Sequence, residues 1–393
     1  MKDFKIREDF LSYALPMIGE EEINEVVDTL KSGWITKGPK TAAFEKQFCE
    51  YIGCKYAVAL NSCTAGLHIA LLCAGVGEGD EVITTPLTFA SSANTIIHSG
   101  AKPVFADVDP RTANIDPNKI EEKITEKTKA IVPVHYAGQA CDMDPILDIA
   151  HRHNLFVSED AAHAIYTTYK GRKIGTIGNT ASFRFYATKN ITTAEGGMLA
   201  TNDEKIAEKA RILSLHGMSK NAWNRYTAAG SWYYEIEYPG YKYNMTDIQA
   251  ALGMHQLEKL EKFQNIREKY ADMYNKAFEE LDEIEVPYVA PYGRHAWHLY
   301  IIRIKEELLT IDRNQFIEEL KKRNVGTSVH FIPVHMHPYY KNRYGYKEGD
   351  FPVAEGIYKR IISLPLYPKM TEEDVQYVID AVRDITARYG KKG

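Results

Sequence analysis

A lysine and an acidic residue stand in a setting that suggests covalent catalysis through a cofactor ring. Lys189 lies in the segment 182–190, SFRFYATKN, and the glycine-rich TTAEGG follows. Asp160 ends the apolar run 155–160, LFVSED. A lysine amine forms a Schiff base with an aldehyde, and a carboxylate keeps a pyridinium nitrogen protonated so that the ring accepts electrons. Because a merely solvated lysine does not need apolar and glycine-rich flanks, the pair predicts an enzyme that binds pyridoxal phosphate.

The composition is that of an ordinary globular protein. The 393 residues suggest about two or three domains. Of these, 45% are hydrophobic and 26% charged, which is enough for a sizeable core. The net charge of -5 gives no reason to expect nucleic acid or an anionic membrane as a partner. The beginning of the chain lacks a signal-peptide core and the longest apolar stretch is interrupted by polar residues, so we expect a cytoplasmic protein.

Short apolar strands alternate with amphipathic helices in the first half of the chain. The alternation predicts a mainly parallel sheet that is covered on both faces, an α/β architecture. The predicted strands are 56–60, 81–85, 103–106, 130–134 and the run that ends at residue 160. Ligands of such sheets bind outside the carboxyl ends of the strands. Just past these ends lie Thr64, Phe89, Asp160 and the pair His135 and Tyr136.

The second half predicts a smaller α+β domain. A long helical pattern over 246–281 bridges to it, and the strand 297–302 and the helices 313–323 and 372–389 follow. We therefore divide the chain into a large domain, 1–258, and a small domain, 259–393. Near the beginning, a helix over 20–30 carries Ile23, Val26, Val27 and Leu30 at helical spacing, which predicts an amphipathic helix packed on the core.

Three further features could contact a phosphorylated ring. Thr64 lies in the turn NSCTAG between a strand and a helix, where a hydroxyl and backbone amides can bind phosphate. Phe89 could stack on a flat heteroaromatic ring, although most phenylalanines are core residues. His163, three residues after Asp160, could touch the other side of the ring or be an ordinary buried histidine.

Three histidines near the C-terminal third invite a metal interpretation, which we do not favour. His330, His335 and His337 are close in sequence, but no cysteine or carboxylate stands at a ligand-like spacing. Pro333 and Pro338 indicate a rigid turn instead. The five cysteines are odd in number and lack C-x-x-C spacing, so they predict reduced thiols rather than a zinc or disulfide framework.

Several of these segments resemble one family. SGWITKGP at 32–39, EDAAH at 159–163, and TKN at 188–190 with EGG at 195–197 are similar to the DegT/DnrJ/EryC1/StrS family of nucleotide-sugar aminotransferases, which use pyridoxal phosphate. The resemblance covers nearly the whole chain. It implies the type I (aspartate aminotransferase) fold and a homodimer with shared active sites. Segments 135–138, 240–244 and 295–299 are most similar to the UDP-4-amino-4-deoxy-L-arabinose aminotransferase branch.

The resemblance assigns roles to individual residues. It implies that Lys189 forms the Schiff base and that Asp160 is the partner of the pyridinium nitrogen. His163 stands where the family places His or Gln near the phenolic oxygen, and Phe89 takes the stacking position.

The phosphate site follows the family less closely. Thr64 and Ala65 occupy the phosphate turn. The family pattern Gly-x-Asn-x-Arg is here Gly240, Lys242 and Asn244, as in the aminoarabinose branch. We expect Lys242, together with Asn244, to reach the phosphate in the neighbouring subunit. The alternative is that this segment only opens the long helix and that Thr246 or Asp247 caps it.

Arg184 stands where the family usually has a serine that bonds the phosphate. On a strand it must point away from the face of Phe183 and Phe185. We expect its guanidinium to face the phosphate and add charge-assisted hydrogen bonds. The alternative is a salt bridge with a nearby acid, which would leave the phosphate to Ser182 or to backbone donors.

The implied reaction is ping-pong transamination. L-glutamate is the expected amino donor, and a nucleotide-linked sugar, a UDP-4-keto-pentose or a related 4-ketosugar, is the expected acceptor. Freed Lys189 moves the proton between the α-carbon and the cofactor. A sugar dehydratase of the same family would replace the lysine, and a non-catalytic sensor would not need Lys189, Asp160 and His163 together. A nicotinamide enzyme would need a G-x-G-x-x-G after the first strand, which the chain lacks.

Overall fold

A seven-stranded sheet forms the centre of the larger part of the molecule. The computed structural model describes residues 4–219 and 233–391. The strands of this sheet are β1 (Tyr56–Leu60), β2 (Glu81–Thr84), β3 (Lys102–Phe105), β4 (Thr128–Val132), β5 (Phe156–Asp160), β8 (Thr180–Arg184) and β9 (Gly197–Thr201). Their order is β1-β9-β8-β5-β4-β2-β3. Only β9 runs antiparallel to its neighbours within this sheet, so the predicted mainly parallel α/β sheet is confirmed.

Two smaller sheets complete the strands of the described residues. One is a hairpin of β6 (Thr168–Tyr169) and β7 (Arg172–Lys173). The other is antiparallel and belongs to the C-terminal part, with β10 (Ile284–Glu285), β11 (Tyr300–Ile304) and β12 (Ile361–Leu364).

The described helices lie around these sheets. They are α1 (Glu20–Ser32), α2 (Pro39–Ile52), α3 (Cys63–Cys73), α4 (Ala90–His98), α5 (Pro117–Glu121), α6 (Met143–Arg152), α7 (Glu204–Leu213), α8 (Asp247–Glu258), α9 (Leu260–Phe278), α10 (Arg313–Lys322), α11 (Pro338–Tyr344), α12 (Pro352–Arg360) and α13 (Glu372–Tyr389). None of them is long and apolar enough to cross a membrane.

The single long helix predicted over 246–281 is wrong, because Lys259 separates α8 from α9. Thr246 caps the beginning of α8, as the alternative interpretation of the segment 240–247 predicted. Thr246 Oγ1 accepts from the amide of Gln249, and the Gln249 side chain reaches back to the amide of Thr246. Asp247 accepts hydrogen bonds from the amides of Gly38 and Thr41, which fixes α8 against the entry of α2.

Buried aromatic side chains join the large sheet to the helices on one face. Phe183 and Phe185 of β8 and its extension pack on Phe48 and Phe44 of α2, with ring centroids 5.1 and 5.5 Å apart. A second cluster surrounds the three-stranded sheet, and Leu11 belongs to it. The first described residues thus pack on the C-terminal part. The domain boundary predicted from the sequence had assigned them to the large domain. The division at residues 258 and 259 stays a prediction.

The helix α1 presents its apolar stripe to solvent, so the prediction that this stripe packs on the core is wrong. Ile23, Val27 and Leu30 are 47%, 39% and 54% exposed. The buried face of α1 is polar, because Glu22 accepts hydrogen bonds from Lys259 Nζ at 2.7 Å and Gln256 Nε2 at 2.8 Å. An apolar helix face that no residue of the described ranges covers is typical of a surface that binds another protein.

Candidate active site

A cavity of about 320 Å³ opens at the carboxyl edge of the large sheet. It is lined from the loops after β1, β2, β4, β5 and β8 and from one loop of the C-terminal part. The lining residues are Thr64, Thr88, Phe89, Ser91, Val134, Asp160, Ala162, His163, Arg184, Tyr186, Thr188, Lys189, His330 and Phe331. Six residues that the sequence predicted as site residues therefore meet in one place. Parallel strands cause this convergence because their carboxyl ends share an edge.

Asp160 is buried at the end of β5 and holds two hydrogen bonds. Its Oδ2 accepts from Ser92 Oγ at 2.7 Å, and its Oδ1 accepts from the amide of Ala162 at 3.1 Å. Both oxygens therefore act as acceptors, and the two bonds fix the orientation of the carboxyl group at the edge of the cavity. Sequence reasoning missed Ser92, which stands in the first turn of α4 and has no local pattern that connects it to a residue of β5.

Lys189 has a nucleophilic amine near neutral pH. Burial lowers the pKa of Lys189 to about 7, and the positive charge of Arg184 adds to this effect. A large fraction of the side chain is therefore the free amine at neutral pH, the form that attacks a carbonyl and accepts a proton. Its Nζ lies within hydrogen-bond distance of His298 Nε2, at 3.1 Å.

His163 offers an unused ring nitrogen. Burial lowers the pKa of His163 well below its ordinary value, so the ring is neutral. Its buried Nδ1 has no hydrogen-bond partner among the described residues, and its ring lies 5.9 Å from that of Phe331 at an angle of 21°. Buried polar atoms are nearly always paired, so an unpaired one at a cavity indicates a ligand contact.

Phe89 is not a core residue. It directly precedes α4, is 54% exposed, and lines the cavity. Its ring centroid lies 6.2 Å from that of Phe331. An exposed aromatic face beside Asp160 suits the stacking of a flat ring.

Arg184 faces the cavity, on the opposite side of β8 from the phenylalanines, as the strand alternation predicts. Its guanidinium lies 4.9 Å from the Tyr186 ring centroid and 5.9 Å from that of Phe89. No carboxylate of the chain's described part lies within ion-pair distance of it. Ser182 is buried against α3, where a Cβ at Gly66 would lie 2.8 Å from Ser182 Oγ, and it does not line the cavity. This geometry favours the phosphate-facing interpretation of Arg184 over the salt bridge.

The first turn of α3 presents Thr64 to the cavity. Thr64 is exposed, whereas Ala65 is buried and its amide donates to Ser62 Oγ at 3.1 Å. Thr64 is thus the member of the predicted phosphate turn that can offer a donor, and the Ala65 amide is already engaged in capping the helix.

Lys242 and Asn244 do not line the cavity of their own chain. The Lys242 side chain is exposed, and its carbonyl accepts from Asn61 Nδ2 at 3.2 Å. Asn244 is buried, and its Nδ2 donates to the carbonyl of Met245 at 3.1 Å. Of the two, Lys242 is therefore the side chain that is available to another subunit.

The expectation that His135 and Tyr136 line the ligand site is wrong. His135 is buried between Glu159 Oε2, 2.9 Å from its Nε2, and the amide of Cys141, which donates to its Nδ1 at 3.0 Å. The Tyr136 hydroxyl donates to the carbonyl of His330. The loop after β4 contributes Val134 instead, because the chain turns away immediately after it.

The three C-terminal histidines lie in different surroundings. His330 lines the cavity and its Nδ1 is 2.8 Å from Ser363 Oγ. His335 Nε2 is 2.8 Å from Glu355 Oε1, and His337 directly precedes α11. Within residues 4–219 and 233–391, no three His, Cys, Asp or Glu side chains form a group that could hold a metal ion.

The residues of the cavity fit pyridoxal phosphate. Lys189 supplies the amine, Asp160 a carboxylate and His163 an unpaired ring nitrogen, and Arg184 supplies a cation that has no carboxylate partner among the described side chains. A flat ring with a phosphate, an aldehyde and a basic nitrogen needs these four kinds of contact.

Comparison of the sequence with known proteins identifies close relatives. The profile of the DegT/DnrJ/EryC1/StrS aminotransferase family matches residues 16–383. The spore coat polysaccharide biosynthesis protein SpsC of Bacillus subtilis is 60% identical over 380 residues, which cover 96% of this chain and 98% of that protein. The uncharacterized protein MJ1066 of Methanocaldococcus jannaschii is 60% identical over 382 residues, 97% of this chain and 99% of that protein.

Solved structures of aminotransferases also resemble this chain. The putative sugar aminotransferase Spr1654 from Streptococcus pneumoniae, in its PLP form, superimposes with a TM-score of 0.90 at 36% identity and covers 96% of this chain and 99% of that one. PseC of Helicobacter pylori, an aminotransferase involved in the biosynthesis of pseudoaminic acid, has a TM-score of 0.90 at 30% identity, with 97% and 100% covered. The predicted type I fold is confirmed by these neighbours. The chain belongs to the DegT/DnrJ/EryC1/StrS aminotransferase family and is a transaminase that uses pyridoxal phosphate.

Proposed function

We propose that the enzyme transfers the amino group of L-glutamate to the keto carbon of a nucleotide-linked 4-ketosugar, such as a UDP-4-keto-pentose. The observation that carries the chemistry is Lys189, whose amine has a pKa of about 7 in the same cavity as the carboxylate of Asp160. The sugar acceptor is supported by the relatives, whose names refer to spore coat polysaccharide, to a sugar aminotransferase and to pseudoaminic acid.

Each residue of the cavity has its own role in the proposed reaction. Bound pyridoxal phosphate supplies a ring that accepts the electrons of the carbon that loses a proton. Asp160 holds the ring nitrogen protonated, and Phe89 stacks on the ring. His163 donates from its neutral imidazole to the phenolic oxygen. Lys189 binds the cofactor and, once free, moves the proton at Nζ, since an amine with a pKa near the working pH can both accept and donate it.

The phosphate is held at the other end of the cavity. Thr64 and Arg184 contact it from the same chain, and Lys242 reaches it from a second copy. Arg184 matches a phosphate dianion in charge, and its guanidinium can donate two parallel hydrogen bonds.

The active enzyme is a homodimer. Two features support this proposal: the exposed apolar stripe of α1, which includes Ile23, Val27 and Leu30, and the exposed Lys242 side chain, which lies outside its own cavity. A two-fold dimer buries the same patch on both subunits, so one stripe can meet its own copy or the surface beside the partner's cavity.

A sugar dehydratase is the second candidate of the same chemistry, and the retained Lys189 disfavours it. A ligand sensor without catalysis is disfavoured as well. It would have no use for a buried lysine whose pKa is lowered toward neutrality, because such burial destabilises the protein.

The proposed function is tested in two half-reactions. The enzyme loaded with pyridoxal phosphate is mixed with L-glutamate, and the visible absorbance of the bound cofactor is followed; D-glutamate is the matched control. The product form is then mixed with UDP-4-keto-pentose, and the aminated sugar is detected by mass spectrometry. We expect L-glutamate to bleach the band and the ketosugar to restore it. Bleaching without restoration by any nucleotide-linked 4-ketosugar would overturn the acceptor, and no bleaching would overturn the donor.

A further inference from the structure

A buried histidine stands directly behind the lysine and outside the cavity lining. His298 lies in the loop before β11, is 5% exposed, and has its Nε2 3.1 Å from Lys189 Nζ, within hydrogen-bond distance. The two residues are far apart in sequence, so this contact is made by the fold. His298 does not line the cavity, and the two cavity residues that it contacts are Lys189 and His163, whose ring centroid lies 4.4 Å from that of His298.

Asn190 determines which nitrogen of His298 carries the proton. The Asn190 Nδ2 donates to the carbonyl of Ala296 at 2.8 Å, which orients the amide and leaves its Oδ1 as an acceptor. This Oδ1 lies 3.0 Å from His298 Nδ1, so Nδ1 must carry the hydrogen. Nε2 then has a free lone pair that points at Lys189. Burial lowers the pKa of His298 well below its ordinary value, so the ring keeps this single proton.

The loop that carries His298 is held rigidly. Trp297 has a left-handed φ of 43°, which an ordinary side chain adopts only where the surroundings impose it. The buried guanidinium of Arg267 donates to the carbonyls of Trp297 and His298 at 3.1 and 3.3 Å and to that of Leu366 at 2.8 Å. The imidazole is thus fixed from the backbone side by Arg267 and from the ring side by Asn190.

We propose that His298 is a positioning residue for Lys189, in the tautomer that Asn190 selects. Its Nε2 accepts a hydrogen bond from the lysine amine whenever Nζ is free, so the amine returns to one position between proton transfers. The inference rests on the proposed role of Lys189 and adds a residue to it.

A hydrogen bond to an acceptor favours the ammonium form of a lysine. His298 therefore opposes burial and the charge of Arg184, which both lower the pKa of Lys189. The other groups that face the pair are Cys63, Asp160 and Arg267 around the lysine and His163, Arg267 and His330 around the histidine. None of them makes a hydrogen bond to Lys189 Nζ in the described part of the chain. Loss of His298 should therefore move the pKa of Lys189 down.

The experiment measures the titration of Lys189 in the cofactor-free protein. Trace acetic anhydride is added across a series of pH values, and acetylation of the peptide that contains Lys189 is quantified by mass spectrometry. We expect His298→Phe to lower the midpoint by about one pH unit, the size of one hydrogen bond to a charged group. We expect His298→Gln, which keeps an acceptor, to restore most of the shift. His335→Gln, a change at another buried histidine, which is paired with Glu355, should leave the midpoint unchanged.

Each outcome decides the proposal. A midpoint for His298→Phe equal to that of wild type, or equal for His298→Phe and His298→Gln when both are shifted, would overturn it. If His298→Phe does not fold, Asn190→Ala takes its place, and a downward shift is again expected because the tautomer is no longer selected. Failure of the proposed function shows separately, as a loss of cofactor attachment to Lys189 after borohydride reduction of the loaded wild-type enzyme.

Discussion

Ser92 Oγ donates a 2.7 Å hydrogen bond to Asp160 Oδ2 and so ties the first turn of α4 to the end of β5. The hydroxyl also lies 2.8 Å from Thr88 Oγ1, which helps to orient it. With the Ala162 amide on the other oxygen, both oxygens of the carboxylate are fixed in orientation. A carboxylate that must pair with a pyridinium nitrogen needs a fixed orientation.

Replacing that carboxylate tests its role. We expect Asp160→Asn to bind pyridoxal phosphate and to lose at least about 100-fold in the rate of the half-reaction with L-glutamate, because an amide does not stabilise a protonated ring nitrogen. Single-turnover absorbance measurements give the rate per bound cofactor. Glu159→Gln changes the neighbouring buried carboxylate, which contacts His135 instead, and serves as the control. An undiminished rate in Asp160→Asn would show that Asp160 is only structural.

The strands β1 to β5 and the positions of most site residues could be predicted from the sequence for a physical reason. Strands of a parallel sheet are covered on both faces, so they are short apolar runs with clear ends. The side chains after those ends converge by topology, which is why Asp160, Phe89 and Thr64 were placed correctly near one another. The same rule gave a wrong prediction for His135, because its loop turns inward and the imidazole pairs with Glu159.

Contacts between distant segments could not be predicted in this way. The fold brings Ser92 to Asp160 and Lys189 to His298. No local sequence pattern predicts either contact. The prediction that the apolar stripe of α1 packs on the core was wrong for another reason. An apolar stripe with Ile23, Val27 and Leu30 shows that a surface is to be covered, but the sequence does not say whether by the same chain or by a second one.

Arg184 is expected to bind the phosphate. Arg184→Ser restores the serine that the family usually carries there and removes a charge from the cavity. We expect the dissociation constant of pyridoxal phosphate to rise by about 10- to 100-fold, the range for a charge-assisted hydrogen bond. Titration of the cofactor-free protein, followed by absorbance, measures it. An unchanged constant would mean that Arg184 belongs to the scaffold.

The lowered pKa of Lys189 makes the stability of the cofactor-free protein depend on pH. Between pH 7 and the ordinary lysine value of 10.5, the unfolded chain binds the proton that the folded chain has lost. Stability therefore rises with pH through this window, and the penalty is fully present below pH 7.

Lys189→Met removes this penalty. We expect it to stabilise the cofactor-free protein most at pH 6 and hardly at all near pH 10, as measured by urea unfolding at both values. Lys205→Met, at an exposed position of α7, is the control. A stability difference that does not change with pH would contradict the lowered pKa.

Subunit mixing tests the shared active site. Lys189→Ala and Lys242→Ala are each expected to be impaired as homodimers. In a mixed dimer one site combines the intact Lys189 of one chain with the intact Lys242 of the other. Random mixing in equal amounts should then restore about a quarter of the wild-type activity. Activity of the mixture no higher than the mean of the two variants would contradict the placement of Lys242 across the interface.

The most direct measurement locates the covalent attachment of the cofactor. The enzyme loaded with pyridoxal phosphate is reduced with borohydride, digested, and mapped by mass spectrometry, with and without prior L-glutamate; Lys242→Ala is treated in parallel. We predict one reduced phosphopyridoxyl group per chain, on Lys189, in both wild type and Lys242→Ala, and its loss after L-glutamate. A label on another lysine, or a label on Lys189 that L-glutamate does not prevent, would contradict the assignment of Lys189 as the residue that carries the reaction.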